Sequence, residues 1–188
     1  MIHSAILKYA HRYPKTRINA SSLQPHLAAE ELIQRRAHLL IYHDVSLASM
    51  PHRDRMLVTK VIDEPYWMVH RPGHPIAARP HTLEALMGYD WALAFGVQFE
   101  NSLPDGIRKI LHDSGTPHYR LLSQTACTEL AKQSDVLTTL PKSYALAMAA
   151  RGEIAALPLP VGFQCSISAA VLRDAGREPT VEHFIECL

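Results

Sequence analysis

The chain has 188 residues, 47% of them hydrophobic and 20% charged, which is enough apolar surface for one large domain or two small lobes. Its formal net charge is only +1 and its Lys and Arg are scattered, which excludes the basic footprint of a domain that itself grips nucleic acid. Cys127, Cys165 and Cys187 are widely spaced and form no CxxC pair, so neither a disulfide framework nor a structural zinc site is expected, and a reducing cytoplasm suits them. No window approaches eighteen uninterrupted apolar residues, and the N-terminus turns charged and aromatic within ten, so neither a membrane span nor a signal peptide is expected.

In chain order, Ile2, Ala5, Ile6, Tyr9, Ala10 and Tyr13 recur at helical spacing until Pro14 closes the stripe. "TRINA" (16–20) reads as a short strand, and Ser21 and Ser22 as caps of a helix with Pro25 in its first turn. "HLLIY" (38–42) is an apolar run of the kind found in parallel strands buried on both faces. "RMLVTKVI" and "YWMVH" read as two extended runs separated by Asp63, Glu64 and Pro65, and "RPGHP" as a turn.

"TLEALM" predicts a short helix, "WALAF" a buried strand, and "NSLPDGIRKILHDSG" a helix with Ser102 and Asp105 as a capping box and Gly115 as its stop. "HYRLL" and "VLTTL" are strands flanking a helix over 125–133. Residues 142–151 form a helix ended by Gly152, with no charge from Tyr144 to Ala150; such a helix is either sandwiched in the core or covered by another subunit. "IAALPL" and "QCSISAAVL" are strands, and Pro179 opens a last helix.

Strands alternate with helices twice over, which predicts an α/β fold of two Rossmann-like lobes joined by two crossover segments. Lobe I comprises residues 1–63 plus 159–188, and lobe II residues 64–158. Lobe I opens in a helix where a strand would normally feed it, so the sequence is expected to begin part-way through a longer protein.

Five stretches, in this order, resemble the effector-binding domain of LysR-type transcriptional regulators: "AILKYAHRYPKTRI", "LAAEELIQRRAHLLI", "DEPYWMVHRPGHPIA", "SDVLTTLP" and "RGEIAALPLP". The resemblance implies the type II periplasmic-binding-protein fold and a small-molecule effector held between the lobes. It also implies a homodimer or tetramer, in which the helix over 142–151 pairs with the first helix of another copy, and DNA contact only through an N-terminal winged helix-turn-helix that this sequence lacks. His38 stands where the family commonly has Asp, and Gln133, Ser134 and Asp135 replace its usual glycines. A solute-binding protein of the same fold and a small Cys/His enzyme are the alternatives.

No residue pattern calls for catalysis, a cofactor or a metal. Cys127 reads as a small buried hydrophobe, and His70 and His74, spanning a Pro-Gly turn, as a surface turn. In open parallel sheets ligands sit beyond the carboxyl ends of strands, near helix N-termini. That rule selects Ser21, Ser22, His43, Asp44, Phe99, Ser102, Gln124 and Thr125 as effector contacts. With no Arg or Lys among them, the expected ligand is a small polar or mildly anionic organic molecule.

Overall fold

The computed structural model describes residues 2–94, 100, 105–121, 123–174 and 178–188. It divides into two units, Met1–Asp63 with Ser166–Leu188 and Glu64–Cys165.

In the first unit, α1 (Ile2–Arg12) turns Ala5 and Tyr9 inward, and His11 and Arg12 in its last turn complement the negative end of its dipole. α2 (Pro25–Ile33) begins on Pro25, whose missing N–H is no loss at that position. It closes through Arg35, which takes the left-handed conformation (φ 58°) so that the N–H groups of Arg36 and Ala37 both reach the Glu31 carbonyl, at 2.9 and 3.0 Å. β1 (Leu40–His43) leads directly into α3 (Asp44–Ala48). β2 (Met56–His70) follows, and β7 (Gln164–Leu172) returns from the second unit. The order is β1-β7-β2, with Leu40 opposite Ala170 and His43 opposite Ile167. Ala28, Ala29 and Leu32 of α2 pack with Leu40, Leu47, Met56, Ala170 and Leu172 in the core of this unit. α8 (Pro179–Cys187) packs against α1 through Tyr9, Phe184 and Cys187.

In the second unit, β2 is the central strand, and β5 (Thr138–Pro141) and β6 (Ala155–Pro158) flank it, both antiparallel. β3 (Ala92–Leu93) runs parallel to β4 (Tyr119–Arg120) and joins β5 through the parallel bridge between Trp91 and Leu137. Between the strands lie α4 (Leu83–Met87), α5 (Asp105–Asp113), α6 (Gln124–Gln133) and α7 (Lys142–Ala150). Successive β2 side chains face opposite layers. Met68 joins Ile76, Leu86, Trp91, Leu93 and Leu137, whereas Val69 joins Leu140, Ala145, Met148 and Ile154. The chain crosses between units inside β2, after Asp63, and inside β7, after Cys165.

Four expectations are corrected. Residues 16–20 form no strand, and Ser21 and Ser22 cap nothing, because α2 starts four and three residues later behind Gln24, which makes no side-chain cap. The two runs around Asp63–Pro65 are one strand of 15 residues, with Pro65 just ahead of its pairings to β5 and β6, which begin at Tyr66 and Trp67. β1 pairs antiparallel rather than parallel, because its neighbour is the returning tail strand. The "RPGHP" histidines are not on a surface turn: His70 and His74 are 1% and 2% exposed. His74 Nδ1 accepts from the Ile76 N–H at 2.9 Å and its Nε2 lies 3.2 Å from the Asp135 carbonyl, so the imidazole pins the turn over 75–78 to the chain ahead of β5.

Candidate functional site

His43 and Asp44 stand where β1 gives way to α3, a strand-end position in the first unit. The Asp44 carboxylate is occupied within the fold: one oxygen accepts from Ser168 Oγ at 2.6 Å and the other pairs with Lys60 Nζ. Burial pushes this carboxyl up, but the bonds from Lys60 and Ser168 outweigh it and hold the group below the usual carboxylate range. Burial lowers the His43 pKa, with Asp44 partly opposing, so the imidazole is neutral near pH 7. Ser21 and Ser22 are exposed in the segment before α2, which the Tyr42 hydroxyl anchors by donating to the Leu23 carbonyl at 2.7 Å.

In the second unit, Ser123 caps α6 by accepting from the Ala126 N–H. Gln124 is half-buried and its side-chain amide donates to the Thr139 carbonyl at 2.9 Å, while Thr125 is exposed. The structure therefore brings Gln124 to β5, a relation that no local spacing signals. Phe99 and Ser102 lie outside the described residues.

The second unit also holds a narrow apolar pocket of about 40 Å³, walled by Leu86, Met87, Trp91, Leu111 and Phe163, with Tyr66, Thr116 and Thr139 as its polar groups. Its walls come from α4, β3, α5, β5 and the connector ahead of β7. Strand-end reasoning missed it because its residues are distant in sequence and individually look like core. The Trp91 indole is fixed by donating to the Leu86 carbonyl at 3.0 Å. Burial, reinforced by Cys165, pushes the Tyr66 hydroxyl far above its ordinary pKa, so it acts as a neutral hydrogen-bonding group. The room suffices for a ring edge or a short alkyl group rather than a whole organic molecule.

Burial raises the Cys127 thiol above its ordinary pKa, which disfavours the thiolate a nucleophile needs. Cys187 lies 3.8 Å from His183 Nε2, but the thiol is buried against α1. Among the described residues, no three His, Cys, Asp or Glu side chains converge as a metal site, and no helix is long and apolar enough to cross a membrane.

Residues 2–188 match the family described as the LysR substrate binding domain, and the chain belongs to that family. This is the effector-sensing regulatory part of LysR-type transcriptional regulators, which is not an enzyme family, and such regulators bind small-molecule effectors and act as oligomers on DNA. The chain is similar to the regulatory domain of MetR, a LysR family regulator from N. meningitidis, with 18% identity, TM-score 0.69, and 99% of this chain and 84% of that one covered. It is similar to a probable transcriptional regulator from Pseudomonas aeruginosa, with 21% identity and TM-score 0.72 over 98% of this chain and 59% of that one. It is also similar to the effector-binding domain of QuiR in complex with shikimate, with 13% identity, TM-score 0.64, and 100% and 88% covered. At these identities the likenesses show the fold, which is type II periplasmic-binding-protein-like. Sequence against sequence, no curated protein matches.

Proposed function

We propose that this chain senses an amphipathic organic effector whose apolar end enters the pocket of the second unit. The observation that carries this reading is the pocket itself, an almost wholly apolar slot in a domain of an effector-sensing family. Such a lining selects the apolar end of a ligand and leaves the polar end to groups outside the pocket. Gln124 and Thr125, with Ser102 and Phe99, are the second unit's candidates for the polar remainder; Ser21, Ser22 and His43 are those of the first. Asp44, whose oxygens are already engaged by Ser168 and Lys60, acts through its charge beside His43.

The reading places the protein in the cytoplasm, consistent with three cysteines outside any disulfide. It also places self-association, as a homodimer or tetramer, on α7, where Tyr144 and Leu146 are exposed on a helix without charge from Tyr144 to Ala150, and on α1, where Ile2 and Leu7 are exposed. Light scattering on the protein and on Leu146→Glu tests this second part: association should be present in the first and weakened in the second.

The test of the pocket uses a panel of aromatic and branched aliphatic carboxylates, read by the fluorescence of the pocket-wall indole Trp91. At least one class should bind saturably, and Val161→Phe, which adds bulk at a residue lining the pocket without adding an indole, should weaken it tenfold or more at unchanged melting temperature. Equal binding to both proteins rejects the pocket as the site.

A further inference from the structure

The first unit holds a cavity of about 240 Å³ whose lining residues all belong to that unit. Part of the lining is apolar, from Leu32 of α2, Leu172 of β7, and Val181 and Ile185 of α8. Ionisable groups join them in two sets of opposite kind. Arg35 and His38 come from the segment between α2 and β1, whereas Glu178 and Glu182 stand at the start of α8.

One member of each set is open to a ligand. Arg35 pairs with Asp174 at 3.4 Å, but its side chain is more than half exposed, so that ion pair is weak and the remaining N–H donors of the guanidinium can take a second anion. Glu178 is the N-cap residue of α8 yet makes no side-chain cap, so the helix does not engage its carboxylate. It still lies at the positive end of α8, where a carboxylate is favoured.

We infer that this cavity binds a free α-amino acid with an aliphatic side chain. A carboxylate and an ammonium on one carbon meet the two sets at once, the first facing Arg35 and His38 and the second Glu178 and Glu182. The aliphatic side chain is then buried against Leu32, Leu172, Val181 and Ile185. A singly charged ligand fits less well: a fatty acid leaves its carboxylate beside two glutamates, and an alkyl amine leaves its ammonium beside an arginine. The size agrees, since the cavity falls below the roughly 300–1,000 Å³ of pockets for drug-sized molecules. The cavity shares no residue with the pocket of the second unit, so the two sites are separate.

The test titrates the 188-residue protein with L-leucine and follows its backbone amides by NMR. Saturable shifts are expected at Arg35, His38 and Val181. Isocaproate, which is leucine without its amine, and isoamylamine, which is leucine without its carboxylate, should each bind there at least tenfold more weakly, and so should glycine, which lacks the side chain. Arg35→Gln and Glu178→Gln, both at exposed positions, should each weaken leucine at least fivefold while the rest of the spectrum is unchanged. Equal binding of leucine and its singly charged analogues reduces the site to an apolar hollow and overturns the inference. Leucine binding that neither substitution weakens overturns it, as does the absence of saturable shifts at these amides with leucine, isoleucine and valine.

Discussion

Glu64 caps α7 from a strand 79 residues away: its carboxylate accepts from the Ser143 backbone N–H at 2.9 Å and from the Ser143 hydroxyl at 2.7 Å. The helix has no cap of its own, since Pro141 stands at the N-cap. A carboxylate there satisfies an otherwise unpaired N–H and faces the positive end of the helix. Glu64→Ala should cost about 1 kcal/mol, the usual worth of an N-cap. Ser143→Ala should cost less, because the backbone N–H keeps its partner. Urea denaturation of the two variants measures the difference.

Asp44 makes stability depend on acid. Its folded pKa is depressed below the ordinary 3.8, so its contribution is fully present above that value and is lost as pH falls through the folded pKa. Asp44→Asn should be less stable than the parent at pH 7, and the gap should close toward low pH. Chemical denaturation at a series of pH values below 5 tests this.

His70 acts at a higher pH. It is buried, its Nδ1 lies 2.8 Å from the Arg71 carbonyl, and burial holds its pKa below the ordinary 6.5 although that backbone bond opposes the shift. A histidine kept neutral by the fold stabilises fully above 6.5, and that stability is lost as pH falls from 6.5 through the folded pKa. Replacing it by Phe should flatten the loss of melting temperature between pH 7 and pH 5. An unchanged slope would assign the effect to another group.

Met68 is fully buried among Leu86, Trp91 and Leu137. Met68→Ala should cost about 2–5 kcal/mol, as for other large-to-small core changes. A loss below 1 kcal/mol in urea would mean that the neighbours collapse into the space.

The sequence disclosed most of the elements. Pro14, Pro25, Gly115 and Gly152 mark the limits of helices through rules local to a few residues, with Gly115 and Gly152 at φ +66° and +71°. The ordered resemblance of five stretches disclosed the family. Local pattern could not reveal pairing. Residues 16–20 have strand composition but no strand beside them, and a strand without a partner is not stable. The histidines of "RPGHP" look polar and exposed in sequence, yet the chain ahead of β5 folds over them and supplies the Asp135 carbonyl near His74.

By itself, then, the sequence determined the succession of helices and strands, because caps, breakers and hydrophobic period act over three to ten residues. Only the tertiary structure decided which strands are neighbours, that Gln124 meets Thr139, that Glu64 caps α7, and that Tyr66, Trp91 and Phe163 enclose one pocket. Those relations join residues far apart in the chain, and they depend on burial and on the register of whole strands, which no short window of sequence contains.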